Sequence, residues 1–185
     1  DVFAQSQNRD EFWWSCLPDV DAQITGDCTG TAFREVELTL AGQPAGVAPV
    51  YPWVYTGGVA PNLWIPTPDV QTLNFRPYRV DLTPFAGLLD DGNPHSLALS
   101  VFNVDNNFSV TASLLLYLDA GSTQVQGAVT TNTLGAAPTP VVTGSIGSNG
   151  TGSVSVDSNR QFTIAGYVDT SQGRVDTQID QTFAF

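Results

Sequence analysis

Along this chain apolar residues recur at every second position, and runs at helical spacing are almost absent. In "REVELTLAG", Val36, Leu38 and Leu40 fall on one face of a strand, with Glu35, Glu37 and Thr39 on the other. "HSLALSVFNV" puts Leu97, Leu99 and Val101 inward in the same way. "DVFAQSQ" reads as the last strand of an element that begins before Asp1. "YPWVYTGG" is a strand ended by glycines, "FRPYRVDLTPF" a strand running into a short turn at Pro84, and "DDGNP" a turn. "FSVTASLLLYLDAG" is expected to be the longest strand, with Leu114–Leu116 buried on both faces. Turn signals return at roughly ten-residue spacing, the rhythm of an antiparallel sandwich or jelly roll. The pattern predicts an all-β fold, with an antiparallel jelly-roll-like sandwich over residues 1–120.

The rhythm changes at residues 121–140. "GSTQVQGAVTTNTLGAAPTP" is poor in large apolar residues and reads as a connector carrying at most one weak strand. Residues 141–185 resume clean alternation in "GSVSVDS", "RQFTIAGYVDT" and "RVDTQIDQTFAF", as in a small β-meander leading into further sequence. Both ends fall within expected strands, and Asp1 is not an initiator. The chain is therefore expected to be a processed portion of a longer polypeptide.

Length and composition narrow the function. The 185 residues suffice for one good core, or for one domain with an appendage. All six basic residues are arginine, fifteen of the eighteen acids are aspartate, and the formal charge is −12. The sequence pI is about 4.1. This disfavours nucleic acid and anionic membrane as partners, since both require a basic face. It suits a secreted protein or an acidic extracytoplasmic compartment; turn chemistry and solubility also account for the aspartates. The two cysteines, Cys16 and Cys28, fit a disulfide closing a small loop, with two free buried thiols as the alternative. They lack partners for a metal site, because the one histidine, His95, is far along the chain. No metal or cofactor is expected. N-glycosylation sequons stand at Asn107 and Asn149.

Three constellations carry candidate chemistry. In "RDEFWWSC", Asp10 and Glu11 lie beside Trp13 and Trp14, with Arg9 adjacent. A carboxylate against aromatic surface is partly desolvated, which raises its pKa and suits it to acid–base work. Tryptophan faces also stack on sugars. The same residues fit a polar strand end capped by packed aromatics, Asp10 and Glu11 then pointing to opposite faces. In "FREVE", Arg34 and Glu35 point to opposite faces, and Glu35 shares one with Glu37; an ordinary solvated face is the alternative. Trp53, Tyr55 and Trp64 sit on loops rich in glycine and proline, as ligand platforms or as plugs at the core edge. His95 after "DGNP" reads as structural. No phosphate loop, zinc motif or nucleophile elbow is present.

Five segments in order, "RDEFWW", "FREVELTLAGQPAG", "VYTGGVAPNLWIP", "YRVDLTPFAGLLDDGNPH" and "LLLYLD", resemble the peptide N-glycanase A family. The tail from "TGSIGSNG" resembles the segment that follows in that family more weakly. The resemblance implies a peptide-N4-(N-acetyl-β-glucosaminyl)asparagine amidase acting on N-glycopeptides or N-glycoproteins, without metal or cofactor. It also implies an upstream β-domain and a downstream segment of the same processed polypeptide as partners. It does not fix residue roles. From the chemistry, Glu11, Asp10, Glu35 and Arg34 are the catalytic candidates, and Trp13, Trp14, Trp53 and Trp64 the substrate-binding ones. A non-catalytic carbohydrate-binding module would need only the tryptophans, and a glycosidase would need two carboxylates across a glycosidic oxygen.

Overall fold

The computed structural model describes residues 1–52 and 76–185, so Trp53, Tyr55 and Trp64 lie outside the described residues. The expected all-β architecture is present, and every ladder is antiparallel. Strand β1 (Val2–Gln7) pairs with β5 (Asn107–Ala112), Val2 opposite Ala112 and Gln7 opposite Asn107. Strand β2 (Glu35–Leu40) is the middle of a sheet between β3 (Gln43–Pro49) and β4 (Leu97–Val101). A third sheet has β9 (Asn159–Thr170) between β6 (Gln126–Asn132) and β10 (Gly173–Ala184). Strands β7 (Val141–Ile146) and β8 (Gly152–Asp157) form a hairpin.

Alternation explains which faces are buried. Val36, Leu38 and Leu40 of β2 are all under 5% exposed. On β9 the alternate residues Arg160, Phe162, Ile164 and Val168 are buried. One apolar cluster takes Val2, Val36 and Phe85 from the first part of the chain and Leu134, Phe162 and Ile164 from the last. Residues 121–140 carry one strand, β6, paired with β9 in the third sheet, and place Leu134 in the core. Asn132 of β6 also donates to the Pro44 carbonyl of β3 at 2.8 Å. The turn at Pro84, a single 3-10 turn over Thr83–Phe85, lies flat on β9: a Cβ added at Gly166 would sit 2.7 Å from the Pro84 oxygen. Only glycine permits that approach.

Three local expectations fail. The "RDEFWW" stretch is not a strand end. After β1 the chain turns at Asn8, whose φ is +53°, and makes 3-10 turns over Asn8–Asp10 and Trp13–Ser15. The loop between the cysteines contains a helix, α1 (Asp19–Thr25), capped by left-handed Gly26. The run after β5 is neither strand nor buried: Leu114 is 46%, Leu116 60% and Tyr117 97% exposed. The β1–β5 ladder ends at the pair Val2 and Ala112.

Cys16 and Cys28 are bonded, with Cα atoms 4.7 Å apart. Cys16 is in the core cluster and Cys28 packs against it. Replacing both by serine should lower unfolding free energy by about 2–3 kcal/mol in urea titrations, the range for closing so short a loop. Peptide mapping of the unmodified protein should find neither thiol open to alkylation.

Candidate active site

The site region is built around a carboxylate without solvent contact. Asp10 is fully buried, and both its oxygens are engaged. Oδ1 accepts from Arg34 Nη2 at 2.9 Å, Arg34 Nε at 3.3 Å and the Asp105 N–H at 3.0 Å. Oδ2 accepts from the N–H groups of Asn106 at 2.6 Å and Asn107 at 2.9 Å. One side chain thereby ties the turn after β1 to the start of β5.

Arg34 is equally enclosed. Its Nη1 donates to the carbonyls of Thr31 at 2.8 Å, Phe33 at 2.9 Å and Gly30 at 3.3 Å. Its Nη2 also donates to the Thr29 carbonyl at 3.2 Å and to Cys16 Sγ at 3.5 Å. Burial pulls its pKa down, and Asp10 acts in the opposite sense. Gly30 is required here: its φ is +80°, and a Cβ would sit 2.4 Å from the Asn103 carbonyl oxygen. At the surface Asp105 accepts from Thr29 Oγ1 at 2.5 Å and pairs with Arg9 Nε at 2.7 Å. The Thr29 bond, then Arg9, holds its carboxyl below the usual range.

Two of the catalytic candidates, Asp10 and Arg34, are thus buried with their polar atoms engaged by protein partners. Glu35 is also withdrawn, 3% exposed and paired with Arg160 Nη2 of β9 at 2.9 Å. Arg160 Nε donates to Glu35 Oε1 at 3.1 Å, and its Nη1 to the carbonyls of Gly135 and Ala137. Glu37 stands on the same face. Its Oε2 accepts from Ser100 at 3.1 Å, while its buried Oε1 has no partner among the described residues.

Glu11 differs from all of these: it is exposed. Its neighbour Trp13 turns inward. Trp13 is 1% exposed and packs against Trp14 and Phe185, so it offers no face to a sugar. Trp14 is half-buried, edge-on to Phe12 at 5.7 Å. His95 Nε2 lies 2.7 Å from Asp91 Oδ1. Among the described residues no three His, Cys, Asp or Glu side chains gather to hold a metal ion. Sequence reasoning missed Asp105 and Arg160; neither has a local signal, since their charged partners, Arg9 and Glu35, lie 96 and 125 residues away.

A family model described as peptide N-acetyl-β-D-glucosaminyl asparaginase amidase A matches residues 1–134. The chain belongs to that family. It is also 30% identical, over 188 aligned positions, to the peptide-N4-(N-acetyl-β-glucosaminyl)asparagine amidase A of Prunus dulcis. The match takes in all of this chain but 33% of the relative's length. No solved structure matches. The family match contains Asp10, Glu11, Arg34, Glu35 and Glu37, whereas Arg160 lies beyond it.

Asp10→Ala should cost about 3–5 kcal/mol in chemical unfolding, because it leaves a buried guanidinium uncompensated. Three backbone donors lose their acceptor as well. A second test concerns Glu35. Burial raises its carboxyl above the ordinary 4.5, Arg160 opposes the rise, and Glu37 adds to it. A carboxyl raised in the folded state holds its proton more tightly than in the unfolded chain. Its contribution is complete below about pH 4.5 and is lost as pH rises through the raised value. Melting temperature measured from acid to neutral pH should therefore carry a downward component that Glu35→Gln removes.

Proposed function

We propose that this chain is part of an amidase that hydrolyses the side-chain amide joining N-acetylglucosamine to asparagine in N-glycopeptides or N-glycoproteins. Family membership supports the reaction class, and one geometric observation supports the site. Glu11 is an accessible carboxylate, and the residue before it is locked by five hydrogen bonds to Asp10. A proton-transfer group has to reach the substrate and yet be held in place.

In the reaction, water adds to the amide carbonyl carbon, the C–N bond breaks, and nitrogen leaves protonated on the sugar as a glycosylamine. Aspartate remains in the peptide. Glu11 takes the proton from water or delivers one to the leaving nitrogen. Asp10 and Arg34 act as positioning residues, holding the backbone that presents Glu11. Glu35, bound to Arg160, serves in the same way from the opposite face of β2. Half-buried Trp14 offers an apolar edge to the core sugar. The strongly acidic composition supports secretion or an acidic extracytoplasmic compartment.

Glu11→Gln keeps shape and hydrogen bonding but removes proton transfer. Its kcat on a defined glycopeptide should fall by at least ~100-fold with binding largely kept and an unchanged melting temperature. A variant that folds normally and retains more than about a tenth of the wild-type rate overturns the assignment. Mass spectrometry of the peptide product reads the reaction itself. Aspartate in place of asparagine marks an amidase, whereas a peptide that keeps one N-acetylglucosamine marks a glycosidase. Binding without turnover marks a carbohydrate-binding module.

A further inference from the structure

The longest run of exposed large apolar residues among those described follows β5. Leu114, Leu115, Leu116, Tyr117 and Leu118 are between 46% and 97% exposed, and no described strand pairs with them. Successive residues of a strand point to opposite faces, so a strand formed by this run would be apolar on both. Soluble proteins rarely leave such a run uncovered.

The surrounding backbone has the form of a slot for one strand. Asp1 and Ser113 exchange both hydrogen bonds, at 3.0 and 2.9 Å, continuing the β1–β5 ladder by one step. On the other edge of β1, Val2 and Tyr78 exchange both of theirs at 2.8 Å. Each step back along β1 is one step forward along both neighbours. The residue preceding Asp1 would then fall between Val80 and Leu114, exchanging hydrogen bonds with Val80. The one before it would exchange them with Leu115. Between these flanks lies a cavity of about 670 Å³, lined by Val80 and Leu82 on one side and Leu114–Leu118 on the other.

We propose that this slot is filled by the segment preceding Asp1 in the full polypeptide, which extends β1 as the middle strand between residues 79–82 and 114–118. This chain covers 33% of the Prunus dulcis relative, and the rest of that relative lies outside the match. A second copy is a poor occupant. The rim carries Asp1, Asp81, Asp90 and Asp119 against Arg79, and each copy has a formal charge of −12. A strand continuous with β1 instead arrives at high effective concentration and in register. The inference is independent of any role for Glu11.

Hydrogen exchange on the unmodified product of the complete gene tests it. The amides of Leu115 and Tyr117 face the slot and should exchange at least ~100-fold more slowly than in an unstructured peptide. A cysteine pair then identifies the occupant. Cysteine at the residue preceding Asp1, combined with Leu114→Cys, forms a non-hydrogen-bonded antiparallel pair with Cα atoms about 4.5 Å apart, within disulfide reach. That pair should cross-link, and the same partner combined with Tyr117→Cys should not. Fast exchange across 114–118 overturns the proposal. So does protection that depends on protein concentration, which marks a second copy, or protection equally present in the 185-residue chain. Cross-linking without register preference overturns it too. If the cysteine variants fail to fold, the exchange result on the unmodified protein decides.

Discussion

The buried pair of Asp10 and Arg34 is the constraint on which the rest of this molecule depends. Two opposite charges without solvent contact are tolerable only when every remaining lone pair and proton finds a partner. Here the partners are supplied by the segment between Cys28 and β2, by Cys16 of the disulfide, and by the turn leading into β5. Satisfying the charges therefore fixes how those stretches meet. The disulfide belongs to the same construction, because Cys16 Sγ lies against Arg34 Nη2.

From that pair the organisation passes through β2. Arg34 and Glu35 are neighbours in sequence and face opposite ways, each to its own buried partner. Arg34 turns to Asp10 and the first part of the chain, and Glu35 to Arg160 of β9. The start of one strand thus joins the β1–β5 ladder to the third sheet. The shared apolar cluster completes the union: Phe162 and Ile164 of β9 belong with Val36 and Leu40 of β2. Leu134, Phe162 and Ile164, all from residues 121–185, thus share a core with β2.

Placing a structural aspartate beside an accessible glutamate has a chemical logic. A group that exchanges protons with a substrate must tolerate both charge states, which a fully engaged buried carboxylate does poorly. Engagement and access fall to adjacent residues, Asp10 for the first and Glu11 for the second. Trp13 and Trp14 divide in the same manner, one filling the core and the other half-open. The 3-10 turns make this possible, since they send successive side chains in different directions within a few residues.

The sequence by itself determined the all-β class, most strands, and the inward faces of β2 and β9, because strand burial follows a period of two that any local window displays. It also pointed to the disulfide, since two cysteines in one chain leave a single pairing, and to the family, through long unusual segments such as "RDEFWW". Only the tertiary structure decided what the charged residues do. From sequence, Asp10 and Glu11 are both candidate acids beside tryptophan, with Glu11 the foremost. Their difference arises from backbone donors at residues 105–107, about a hundred positions away and unmarked by any motif. Arg160 was likewise an unremarkable strand arginine until β9 brought it 2.9 Å from Glu35. Leu114–Leu116 reads as buried in any local window, yet burial needs a neighbouring strand, and whether one is present is a property of the ladder. Hydrophobic periodicity is local and legible, whereas the partners that satisfy a buried charge or cover an apolar strand are brought together only by the fold.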